Sequence, residues 1–242
     1  MRDMLIVVNH NDEASRAIAR KLRSMRVCCK IAEKTVTPDE IAAQQPLGIV
    51  IASAAAGNGG LSIDRDLLFA LDLPILALGE AASAMLPLLG GSVGEMVIEN
   101  AVSRVDYKPC ALLDGLDATE HLLQNVRAYA LNDSNTEAIC LCQNTVVGYA
   151  VEEKCVYGLQ IPVEQNDPDL SAILSNFALL ICGCTTWWDD EAFVERAVEE
   201  ISRLTGDGRA VCAMTGGLNS GVSALLTYRA LGDRLQCIFI DT

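Results

Sequence analysis

The chain is poor in several things, and each shortage removes a class of function. Basic residues are few: 18 Lys and Arg stand against 32 Asp and Glu, a net charge of −14. Such a balance repels phosphate backbones and anionic lipid, so neither nucleic acid nor a membrane surface is an expected partner. Acidity by itself names no partner, and a solvated acidic surface is its ordinary meaning. Histidine is scarcer still, with only His10 and His121 to offer as imidazole ligands. The ten cysteines lack the two-residue gap of a zinc knuckle. Their close pairs are Cys28-Cys29, Cys140-x-Cys142 and Cys182-x-Cys184, and no metal is expected. Nothing approaches the roughly 18 uninterrupted apolar residues of a membrane span. Leu5–Val8 runs straight into Asn9-His10-Asn11-Asp12, without the apolar core and small-residue cleavage site of a signal peptide. The expected compartment is the reducing cytoplasm, with the thiols serving as small buried hydrophobes. No internal repeat or low-complexity segment is evident.

What is present is 242 residues, 51% of them hydrophobic. That is one large domain or one plus a fraction, and it buries enough surface to need no disulfides. Strand-like and helix-like segments alternate through the first half. Met4–Val8 and Val27–Ile31 read as strands around a helix that ends near Ser24, capped by Asp12 or Ser15. Thr37-Pro38-Asp39-Glu40 combines an N-cap, a proline at the first helical position and a glutamate three after the cap. Gly48–Ala52 and Pro74–Leu78 are continuous apolar runs of the buried-strand kind, with helices predicted over Leu61–Leu71 and from Pro74–Leu78 on through Leu88. This order predicts a parallel sheet with helices on both faces.

From Gly91 the pattern changes to short β-like runs at Val93–Ile98, Ala138–Cys142, Val146–Val151 and Cys155–Gln160, the last two joined by the polar turn Glu152-Glu153-Lys154. They predict antiparallel strands added to the open sheet, closed by a helix over Asp169–Ile181. The expected organisation is a domain over 1–182, a linker over 183–190 containing Trp187-Trp188, and a fragment over 191–242. In that last part a helix over Asp190–Leu204 precedes strands at Arg209–Met214 and Leu235–Ile240. Two strands and two helices fall short of a complete α/β domain. Uncovered strand edges invite pairing, so this end is expected to form a homo-oligomer or to bind a partner protein.

Thr215-Gly216-Gly217-Leu218-Asn219-Ser220-Gly221 lies between a strand and a helix, where exposed amides attract an anion such as pyrophosphate. The segment resembles the Ser-Gly-Gly-x-Asp-Ser loop of N-type ATP pyrophosphatases, and Cys237-Ile238-Phe239-Ile240-Asp241-Thr242 resembles the strand that follows it. Together with Asn176-Phe177, Pro74-Ile75-Leu76 and Tyr157-Gly158-Leu159-Gln160, it makes the chain similar to glutamine-hydrolysing GMP synthases along its whole length. The resemblance implies an α/β fold. Its first part is a class I glutamine amidotransferase-like (flavodoxin-like) open sheet, and a truncated α/β nucleotide-domain fragment follows. It also implies ATP and Mg²⁺ as candidate cofactors.

The positions that would carry the family's chemistry depart from it. The Gly-x-Cys-x-Gly elbow reads Ala77-Leu78-Gly79-Glu80-Ala81, and Gly79 has no side chain with which to attack glutamine. The His-Pro-Glu that follows the matching strand reads Pro162-Val163-Glu164. Proline accepts no proton, and the Glu164 carboxylate has no imidazole to orient. The oxyanion loop reads Ser53-Ala54-Ala55, and a Ser-His-Gly-Asp signature falls on Gln124-Asn125-Val126-Arg127. Neither histidine falls at a strand end near the elbow. The expected protein is therefore a GMP synthase-like pseudoenzyme that acts by binding or as a scaffold. Two other readings stand beside it: part of a working GMP synthase system that aminates XMP with glutamine nitrogen, and a nucleotide-binding regulatory module using Thr215–Gly221. In that loop Asn219 replaces an acidic residue that would sit near Mg²⁺ and phosphate.

Overall fold

The computed structural model describes residues 3–9, 13–53, 63, 65, 69–163 and 167–240. They form two compact units, Met1–Trp187 and Trp188–Thr242.

The first unit is built on a nine-stranded sheet among the described residues. Five parallel strands make one half: β1 (Leu5–Asn9), β2 (Cys29–Glu33), β3 (Gly48–Ser53), β4 (Ile75–Gly79) and β9 (Val156–Leu159). Four antiparallel strands extend it: β5 (Ser92–Tyr107), β6 (Thr119–Ala130), β7 (Glu137–Cys142) and β8 (Thr145–Val151). The order across the sheet is β2-β1-β3-β4-β9-β8-β7-β5-β6. Apolar runs at β1, β3 and β4 pair in register, Leu5 with Gly48 and Ile49 with Ile75. Alternate residues feed two cores. Leu5, Val7, Val50, Leu76 and Leu78 pack on one face, where α1 (Glu13–Ser24) and α4 (Pro168–Ser175) supply Ile18, Leu22, Leu170 and Leu174. Ile6, Val8, Ile49, Ile51 and Ile75 pack on the other, against Ile41 of α2 (Pro38–Ala42) and Met85 of α3 (Glu80–Met85). Helices on both faces are why these strands have no polar side.

Several local expectations change. The capping box at Thr37 and Glu40 forms, with both reciprocal bonds, but its helix lasts only five residues. Ser15 is not a cap; its hydroxyl lies within α1 and donates to the Val8 carbonyl at 3.1 Å. The other proposed cap, Asp12, and most of the predicted helix over Leu61–Leu71 lie outside the described residues. The helix after β4 gives way to a 3₁₀ turn over Leu86–Leu89, and α4 widens into a π-helical turn over Asn176–Ile181. The largest correction is β5 and β6. The sequence predicted six residues of strand in β5 and none in β6, yet the two pair over most of their length.

In the second unit, α5 (Asp190–Thr205) precedes β10 (Ala210–Met214), α6 (Leu218–Leu231) and β11 (Leu235–Phe239). β10 and β11 pair in parallel, Ala210 with Leu235 through Met214 with Phe239. Trp188 belongs to this unit and stacks on Phe193 with ring centroids 5.2 Å apart. Trp187 belongs to the first, where its indole N–H donates to the Asp3 carbonyl at 3.0 Å. No helix among the described residues is long and apolar enough to cross a membrane.

Candidate functional site

The chain turns sharply where β4 meets α3. Gly79 holds φ 64° and ψ −129° there, a conformation that side chains other than glycine's resist. The turn is held from below by two tyrosines. The Tyr149 hydroxyl donates to the Ala82 carbonyl at 2.8 Å, and Tyr129 and Ser83 share a hydrogen bond at 2.9 Å. Tyr149 can lie there because Gly158 on β9 leaves room for its ring, which any Cβ at 158 would strike. The sharp turn at Gly79 is thus held in place by buried hydrogen bonds.

The space a nucleophile would need is filled. A Cβ at position 79 would run into the backbone carbonyl of Ser53, the last residue of β3, and lie 4.0 Å from Cγ2 of Val163. Position 79, Ser53 and Val163, the neighbour of Pro162, therefore lie close together. Gly79 and Pro162 line one cavity with Glu80, Leu122, Leu123, Gln124, Asn125 and Gln160. Its volume is about 110 Å³, small beside the roughly 300–1,000 Å³ of ordinary ligand clefts. Burial raises the Glu80 carboxyl above its usual range, partly opposed by the Arg127 guanidinium. Ala54, Glu164 and His10 lie outside the described residues.

At the cavity the Gln160 amide accepts from the Arg127 N–H at 2.9 Å and donates to the Arg127 carbonyl at 2.7 Å. Elsewhere on β6, His121 is held between carboxylates, Nδ1 3.1 Å from Asp167 and Nε2 3.1 Å from Asp169. The Tyr107 hydroxyl lies 2.7 Å from the same Nε2 and donates to Asp169 at 3.0 Å. The hydrogen bond to Asp167 raises the imidazole's proton affinity against the opposing effect of burial. The sequence placed no histidine near the elbow; the structure seats His121 next to Leu122 and Leu123, which line the cavity. It is engaged with acids and is not offered to the elbow as a base.

In the second unit, Thr215–Gly221 forms an exposed turn into α6, with Gly216 at φ 76° and Gly217 as the N-cap. Ser220 Oγ donates to the Gly217 carbonyl at 2.9 Å and accepts from the Thr215 N–H at 3.4 Å, so its hydroxyl is spent within the loop. The glycine backbone and helix start suit a phosphate. They do not suit magnesium, because the loop carries Asn219 in place of a carboxylate and the Ser220 hydroxyl is already engaged. Among the described residues no group of three or more His, Cys, Asp or Glu is arranged to hold a metal. Burial drives the Cys29 thiol up to about 11 and the Cys184 thiol to about 12, far from thiolate chemistry.

The α/β fold with its large mixed sheet matches that of class I glutamine amidotransferase neighbours. The same fold occurs in a candidate GMP synthase component from Thermoplasma acidophilum, with a TM-score of 0.64 and 19% identity over 76% of this chain and 94% of that one. It occurs also in a glutamine amidotransferase of Thermotoga maritima, with a TM-score of 0.51 and 10% identity over 96% and 100%.

By sequence the chain is homologous to the glutamine amidotransferase part of GMP synthases. It is 30% identical over 250 residues to the glutamine-hydrolysing GMP synthase of Clostridium botulinum strain Eklund 17B. It is 29% identical over 253 residues to that of Bacillus cereus strain G9842. Each match runs along 99% of this chain and 48% of the relative, so the chain spans about half the length of the curated relatives it matches. No protein-family model matches it.

Proposed function

We propose that this protein is a glutamine amidotransferase-like scaffold without glutaminase chemistry, acting by binding. The observation that carries the reading is Gly79. The residue has no nucleophile, and the Ser53 carbonyl stands where a side chain would begin. A thiolate, a base and an oxyanion hole act as a unit, so losing them together removes rate by several powers of ten. Pro162 supplies no base, and the strand end that would have to open toward an oxyanion instead directs a carbonyl oxygen at the elbow. The relatives' glutamine-dependent GMP synthesis, if this chain takes part in it, draws ammonia from elsewhere.

We read residues 191–242 as the opening of an ATP pyrophosphatase-like domain, with Thr215–Gly221 as a phosphate loop. The exposed glycine turn at the start of α6 favours this nucleotide-binding reading beside the first. Calorimetric titration with ATP tests it, and heat unchanged by Mg²⁺ is expected because the loop lacks a carboxylate.

The deciding measurement is ammonia release from glutamine by the purified protein and by Gly79→Cys. Background rates are expected for both. Release above background by the native chain overturns the reading. Release by Gly79→Cys alone would show that a base and an oxyanion hole are supplied by other residues.

A further inference from the structure

The group formed by His121, Asp167, Asp169 and Tyr107 is unusual for how deeply it is buried. The side chains of His121, Asp167 and Asp169 are 3%, 11% and 10% exposed, and Tyr107 is half-buried. Its members come from three places: His121 from β6, Tyr107 from β5, and the two aspartates from the start of α4, where Asp167 is also the N-cap. The cluster thus joins the start of α4 to the ribbon of β5 and β6.

We propose that this cluster is a pH-set latch that fastens the start of α4 to the ribbon of β5 and β6. It does not depend on whether the cavity retains any chemistry. The supply of donors decides it. With the imidazole charged, Nδ1–H donates to Asp167, Nε2–H is shared between the Tyr107 oxygen and Asp169, and the Tyr107 hydroxyl donates to Asp169, so each of the four short contacts has a proton in it. Removing one proton leaves two donors for the same four contacts, and a nitrogen lone pair then faces an oxygen. If Nε2 is the bare nitrogen, Tyr107 turns its proton to it and Asp169, 7% exposed as a residue, loses its donor. If Nδ1 is bare, it faces Asp167. Asp167 retains two backbone donors, the N–H groups of Asp169 and Leu170 at 2.9 and 3.1 Å, so α4 stays capped while the tie to β6 is lost. Leaving a buried carboxylate short of its donor is costly, and separation of α4 from the ribbon relieves it.

The titratable groups facing the imidazole among the described residues are Tyr107, Asp167 and Asp169; the Cys140 thiol stands behind Tyr107, and Ser103 is the cross-strand neighbour of His121. Proton affinity moves in the sense the geometry requires. The imidazole is held above its ordinary value, first by the hydrogen bond to Asp167. Burial pushes the Asp167 carboxyl up, but the hydrogen bonds from His121 and the backbone outweigh it and hold the carboxyl below its ordinary value. The raised imidazole contributes its full stabilisation below its unfolded value and loses it as pH rises through its folded value. The depressed carboxyl contributes above its unfolded value and fails as pH falls through its folded one. The latch is therefore closed between the two folded values and opens on either side.

The full chain makes the test direct, because His10 and His121 are its only histidines and a His10→Gln variant assigns their imidazole ¹H–¹⁵N signals. His121 is expected to titrate above the ordinary histidine value. Amide exchange at residues 119–123 and 169–172, divided by the intrinsic rate, should be flat in mildly acidic solution. It should then rise about tenfold per pH unit from about 6.5 to the His121 midpoint and level off beyond. Asp167→Asn keeps a good helix cap and removes the charge, so both midpoints should fall together. The proposal is overturned if His121 titrates at or below its ordinary value, if the exchange profile is flat, or if the exchange step keeps its pH in Asp167→Asn. Should that variant not fold, coincidence of the two midpoints in the native chain supports the latch, and their separation overturns it.

Discussion

Ile49, Val50, Ile51 and Ala52 of β3 are each 0% exposed, whereas Val211 of β10 is 64% exposed and Phe239 of β11 is 68% exposed. Both pairs of neighbours are parallel, both are made of the same apolar residues, and both are joined through helices. The difference is in what surrounds them. β3 has a strand on each edge and a helical layer on each face, and every side chain it presents is received. β10 and β11 have only each other within the described sheet, and α6 leaves Leu218, Val222, Leu225 and Tyr228 in solvent along one side. A continuous apolar strand is thus enough to specify strand and direction. Burial is a property of the neighbourhood, and the second unit lacks half of one.

That contrast can be broken or sharpened by substitution. Phe177→Ala, in the core beneath the sheet, is expected to cost about 3–5 kcal/mol in denaturant unfolding of the first unit. A loss below about 1 kcal/mol would mean that this core is far looser than its burial implies. Gly79→Ala should cost about 1–3 kcal/mol through backbone strain and the contact with Ser53, read from the same unfolding curves. Val211→Lys should change unfolding of the isolated chain by no more than about 0.5 kcal/mol, since the residue has little to lose.

We further propose that the uncovered face of the second unit pairs with a second copy of the chain. Light scattering at rising concentration is then expected to report a dimer for the native protein, and a monomer for Val211→Lys and for a chain ending near Cys182. A native chain that stays monomeric would leave the exposed face without this role.

The parallel half of the sheet was legible because its strands are unbroken apolar runs bounded by turn residues, and β10 and β11 were legible for the same reason. The ribbon of β5 and β6 was not. Along β6 the usual alternation is reversed in kind: His121 points inward while Leu122 is 44% exposed, and cross-strand from His121 the buried residue is Ser103. A polar residue inside and a leucine outside give no period-two signal to read. Gly79 and Pro162 were singled out through resemblance, and they line one cavity. The carbonyl of Ser53 at the elbow was not, because it is a backbone group placed by β3. Nor was the His121 cluster, whose partners lie 14 and 46 residues away along the chain.

The closeness of Ser53 to position 79 also sets a direction on change. A Cβ at 79 would strike the Ser53 carbonyl, so any side chain introduced there requires the end of β3 to move first. No substitution at 53 accomplishes that directly, since the obstruction is main chain. Order of mutation therefore decides outcome at this corner of the protein, as a tooth and pawl decide which way a wheel turns.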